Sequence, residues 1–75
     1  MKPSSNMELG KKFVSMIREA QTQDQKQAIY DAAYAYAIIA GRDFVKFQPM
    51  FFMNYIDTNS GFKAQVQYGY EGANA

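Results

Sequence analysis

The groups in this chain that could do acid–base chemistry are seven carboxylates: Glu8, Glu19, Asp24, Asp31, Asp43, Asp57 and Glu71. No histidine is present to shuttle a proton, and no cysteine to act as a nucleophile. Most of the carboxylates fall in expected caps, turns or exposed faces, where solvation accounts for them. Asp31 differs, because it is the only charge after Lys26 in a largely uncharged run that ends at Gly41. There the expectation is a rim position, paired with Lys26 or with a tyrosine hydroxyl. No glycine-rich phosphate loop occurs: Gly10 follows no strand, and no G-x-x-x-x-G-K pattern is present. Zinc and haem lose their usual ligands when both His and Cys are missing. The reading is therefore no enzyme, no catalytic residue, no metal and no cofactor.

Binding chemistry is the remaining option. The eight Lys and Arg are spread along the chain and the net charge is +1, which gives no phosphate-tracking surface. Phe44-Val45-Lys46-Phe47 resembles the last four positions of the ribonucleoprotein motif of RNA-recognition domains, whose aromatics stack on bases. Gly41-Arg42-Asp43 do not supply the motif's preceding glycine and aromatic positions, and the expected element order differs from that fold. These aromatics read as packing groups, and nucleic acid is an unexpected partner.

The elements that must position these groups are organised around Gln25–Gly41. The run is Ala-rich and apolar nearly all round, which marks a helix buried on more than one side. Ala28, Ile29, Ala32, Ala33, Tyr36, Ile39 and Ala40 share one broad face, and Tyr30, Tyr34, Ala37 and Ile38 form a second arc. Thr22 with Gln25 predicts a capping box, and Gly41 a left-handed C-cap. Before it, residues 1–4 read as a flexible lead and Ser5 with Glu8 as the cap of a first helix from Asn6 to near Gln21. That helix has Leu9, Phe13, Met16, Ile17 and Ala20 inward, and Lys11, Lys12, Ser15, Arg18 and Glu19 outward. The short link Gln21–Asp24 predicts a helical hairpin.

After Arg42 the pattern reads as alternating. Phe44–Phe47 and Met50–Ile56 are predicted strands interrupted at Pro49, Asp57–Gly61 a turn, and Phe62–Tyr70 a return strand. Matching the apolar faces pairs Tyr55 with Ala64, Met53 with Val66 and Phe51 with Tyr68. The outer sheet face would then carry Met50, Phe52, Asn54 and Ile56. The expected fold is α+β: a helical hairpin packed on a two- to three-stranded antiparallel β-hairpin, in the order α-α-β-β. It forms a single domain over residues 1–75, with loose ends at 1–4 and 72–75.

A 75-residue chain has a small core, and this one has no disulfide or metal to reinforce it. Oligomerisation is the reinforcement still open. Tyrosine is enriched at interfaces, and open sheet edges need covering. The expected partner or oligomer surface is therefore Tyr30, Tyr34, Ile38, Phe44, Lys46, Met50, Phe52 and Ile56. With no apolar leader visible, a cytoplasmic, non-membrane location is expected. The functional expectation is a small protein-binding module, acting as a homo-oligomer by occupying a partner's surface. By analogy of type, it would be an accessory or inhibitory protein such as phages direct at a host protein or defence system. The alternatives are a small-ligand or nucleotide-sequestering protein and a weak single-stranded nucleic-acid binder.

Overall fold

The structure, a computed structural model, describes residues 3–44 and 46–64. They form three helices: α1 (Pro3–Glu19), α2 (Gln23–Asp43) and α3 (Pro49–Ser60). The described residues contain no strand, so the fold is all-α and the expected α+β arrangement is corrected. Each helix packs on both of the others. No helix among the described residues is long and apolar enough to cross a membrane.

The turn between α1 and α2 is built as the sequence specifies. Thr22 is extended, its Oγ1 accepts the Gln25 amide at 3.1 Å, and Gln25 Oε1 accepts the Thr22 amide at 3.3 Å. The same Oε1 accepts from the Gln21 amide at 2.8 Å, so one side chain serves two donors before the helix. Lys26 reaches back to donate to the Ile17 carbonyl at 2.7 Å, which ties the start of α2 to the end of α1. Asp31 is half-buried and accepts from Gln27 Nε2 at 2.9 Å. Its partner is an amide one turn back on its own helix, whereas Lys26 is engaged with Ile17.

Several boundaries differ from the sequence reading. Helix α1 begins at Pro3, a residue whose fixed φ and missing N–H suit a first helical position, so Ser5 lies inside the helix and is not its cap. Helix α2 runs past Gly41 to Asp43, and its C-cap is Phe44, whose amide donates to the Ala40 carbonyl at 2.9 Å. Gly41 is helical; its role is spatial. A Cβ there would lie 2.5 Å from Pro49 Cγ and 3.1 Å from Pro49 Cδ, so the missing side chain lets the start of α3 close onto α2.

The largest correction concerns residues 49–61. Pro49 is the first residue of α3, where its lack of a donor does no harm. The polar cluster read as a turn is the last helical turn, and Gly61 terminates it in the left-handed region at φ 67°, ψ 12°. Phe51, Met53 and Tyr55 are helical, so the expected cross-strand pairs do not form. Phe62–Ala64 are irregular, and the rest of the expected return strand, including Val66 and Tyr68, lies outside the described residues, as do Val45 and 72–75.

The core is set by side-chain volume. On α2 the buried residues are Tyr30, Ala33, Tyr34, Ala37 and Ala40, while Ala28, Ala32, Ala35 and Ile39 are exposed. The buried stripe thus straddles the two expected arcs, taking Tyr30, Tyr34 and Ala37 from the second and Ala33 and Ala40 from the first, so Tyr30 and Tyr34 are core residues and not a contact surface. Burying a tyrosine ring removes far more apolar area from water than burying an alanine methyl, so the buried stripe is centred on the two rings, with Ala33, Ala37 and Ala40 beside them. From α1 come Val14 and Ile17, with Leu9 and Phe13 packed against them; Met16, expected inside, is exposed. From α3 come Phe52, Met53 and Ile56. Contacts between α2 and α3 run in reverse order, Gly41 with Pro49, Tyr36 with Phe52, and Tyr30 with Phe62 just beyond α3, so the two helices are antiparallel.

Candidate functional site

At one end of the bundle the rings form a cluster centred on Phe52. Phe13 meets it edge-on at 6.3 Å, and Tyr36 and Phe47 each lie 5.4 Å from it at a tilt near half a right angle. Tyr36 and Phe47 meet edge-on at 5.7 Å. These separations are those at which ring quadrupoles attract. The Tyr36 phenol is pushed above its ordinary value by loss of hydration.

One side of this cluster forms the floor of a surface groove of about 270 Å³. Helix α1 contributes Met7 and Gly10, the α2–α3 connection contributes Lys46, Phe47 and Gln48, and α3 contributes Phe51, Phe52 and Tyr55. Gly10 keeps the groove narrow at its base: a Cβ there would come within 3.3 Å of Tyr55 Cδ1 and 3.6 Å of Phe52 Cε1, so both rings close onto the α1 backbone. Phe47 is held by a tight turn in which its amide donates to the Phe44 carbonyl at 3.1 Å. Phe51 and Met7 stand at the mouth, 65% and 50% exposed.

Among the described residues, the lining carries one ammonium, one amide, one phenol and no carboxylate. It can supply dispersion, ring contacts and one charge-assisted hydrogen bond. Among the described residues, no charged side chain is buried, and no three His, Cys, Asp or Glu gather where they could hold a metal ion.

The residues expected to form a contact surface are divided by the fold. Tyr30, Tyr34, Phe52 and Ile56 are buried in the bundle's own core, and Ile38 is half-buried against it. Phe44, Lys46 and Met50 are exposed. Of the eight, only Lys46 and Phe52 line the groove, and the outer sheet face that was to display Met50, Phe52 and Ile56 does not exist. The sequence reading missed Met7, Gly10, Phe47, Gln48, Phe51 and Tyr55. A usable signal was present in α3: Phe51–Tyr55 and Phe52–Ile56 are two adjacent pairs at helical spacing, a band too wide for one core-facing stripe. No family model, curated protein or solved structure matches the chain.

Proposed function

We propose that this protein is a small non-catalytic binding module that acts by occupying a partner protein's surface, and that its contact site is the α1–α3 groove. The observation that carries this reading is Phe51, a phenylalanine left 65% exposed at the mouth of an aromatic-floored groove. A phenylalanine presents roughly 150–250 Å², so Phe51 leaves on the order of 100 Å² in water. At about 25 cal/mol per Å² that is about 2.5 kcal/mol recoverable on binding, the range of an interface hot spot. Apolar patches rimmed by polar groups are characteristic of protein-contact sites. An accessory or inhibitory role of the phage-encoded type is consistent with this, because steric occupation needs a surface and no reacting group.

The groove, about 270 Å³, is at the small end for small-molecule sites, and its one cation among the described residues is little for a nucleotide's phosphates. Both points favour an incoming side chain over a small ligand. The test is affinity purification of the tagged protein from its own host cells, comparing wild type with Phe51→Lys and with Ala32→Lys on the exposed side of α2. Wild type and Ala32→Lys are expected to recover the same partner, and Phe51→Lys to lose it with its helical spectrum intact. Equal recovery by Phe51→Lys would remove the groove from the account.

A further inference from the structure

We infer that the groove selects a partner segment bearing a large apolar side chain with a carboxylate close to it, that is, an acidic amphipathic stretch of another protein. The inference rests on the groove being the contact site and adds the chemistry of what enters it. Among the described residues, Lys46 is the only formal charge in the lining, and no carboxylate of theirs lines the groove. Lys46 is exposed, and none of the ion pairs or hydrogen bonds found among the described residues engages its ammonium. An exposed ammonium beside an apolar groove attracts an incoming carboxylate and repels an incoming ammonium once the bound segment displaces water from the contact. The site thus discriminates by charge sign as well as by shape.

The volume and the floor define the other half of the ligand. A space of about 270 Å³ takes an anchoring side chain and its neighbour, and not a whole helix face. Its floor, Phe47 and Phe52 with centroids 5.4 Å apart and planes tilted at 50°, offers both a ring face and a ring edge to an aromatic or branched aliphatic group. Gln48 at the rim can both donate to and accept from the incoming backbone. On a helical segment the carboxylate must lie three or four residues from the anchor, since those positions share the anchor's face and the immediate neighbours do not.

The test is selection of a random displayed peptide library on the immobilised full chain, followed by affinity measurement on the best peptides. Enriched sequences are expected to combine Phe, Trp or Leu with a nearby Asp or Glu. Lys46→Glu should weaken them about tenfold or more, with the helical spectrum unchanged. Exchanging the peptide's acid for Lys should restore binding to Lys46→Glu, a rescue that a structural effect of the substitution could not give. Peptides that bind through Phe51 without any acidic preference, or indifferently to Lys46→Glu, would overturn the inference and leave the groove as contact site. Failure to enrich any peptide sensitive to Phe51→Lys would overturn both. So would a chain that is dimeric at micromolar concentration and becomes monomeric on Phe51→Lys, because the occupant would then be a second copy.

Discussion

Gly41→Ala is informative because two effects of opposite sign meet at one atom. In an unobstructed helix interior, replacing glycine by alanine stabilises by up to about 1 kcal/mol. Here the new methyl would lie 2.5 Å from Pro49 Cγ and 3.1 Å from Pro49 Cδ, against the roughly 3.5–4.0 Å of a carbon–carbon contact. A change of ring pucker can move Cγ but leaves Cδ in place at 3.1 Å, a backbone-fixed atom, so α3 itself must still move away from α2 by a few tenths of an ångström. Pro49 begins α3, and Phe52 follows less than one turn later, so the displacement reaches the rings of Tyr36 and Phe47 that Phe52 touches. Overpacking of this kind costs about 1–3 kcal/mol. The net expectation is a loss of about 1 kcal/mol, or about 4–8 °C in Tm for a domain of this size. Gly10→Ala is the control. Its nearest contact is 3.3 Å to the half-buried Tyr55 ring, which can yield by a few tenths of an ångström, so that variant should be neutral to slightly stabilised. Urea unfolding of wild type, both single variants, Pro49→Ala and Gly41→Ala/Pro49→Ala completes the cycle. The double variant should recover most of the loss, a coupling of about 1–2 kcal/mol. A Gly41→Ala protein more stable than wild type, or one whose loss is independent of Pro49, would refute the close-approach argument. The second outcome is what a left-handed cap at Gly41 would produce.

Further expectations follow from the same contacts. Phe52→Ala removes the ring on which three others converge and should cost about 3–5 kcal/mol in chemical denaturation, enough to leave little folded protein at this chain length. Thr22→Ala removes the acceptor for the Gln25 amide and should cost about 1 kcal/mol, whereas Thr22→Ser should cost a small part of that. Phe51→Lys, at an exposed position, should change stability by less than about 0.5 kcal/mol. Tyr36 gives a signed pH dependence. Its folded phenol ionises above the ordinary 10.0, so it has no effect on stability below that pH, and stability falls above it as the unfolded chain ionises first. Stability measured from pH 9 upward should therefore decline more steeply in wild type than in Tyr36→Phe; parallel curves would contradict the assignment.

The helical hairpin was legible in the sequence because its signals are local: Thr22 and Gln25 at capping-box spacing, a short polar link, and an Ala-rich run. Which side of α2 faces inward was not. With alanine on every side, counting apolar residues does not place the buried stripe, which straddles both arcs; the volume of Tyr30 and Tyr34 is what centres it. Helix α3 was misread as strand because the run Met50–Ile56 is apolar at nearly every position and fits a period of two as well as one of 3.6. The deciding information lay at its ends, a proline at the first helical position and a glycine just past the last, 12 residues of helix between cap and cap. The groove was missed as a consequence. It exists only once α3 is a helix lying across Gly10, and residues as distant as Met7 and Phe51 come together through that packing alone.

The claim that most needs testing is that the groove, and not another face, touches a partner. A photoreactive benzoyl-phenylalanine placed at Phe51, and separately at Ala32, reports this directly when the protein is irradiated inside the cells in which it naturally occurs. The expected result is one discrete adduct from position 51, containing this chain and a different protein, with none from position 32. Equal labelling from both positions, no adduct from position 51, or an adduct the mass of two copies of this chain would contradict the account.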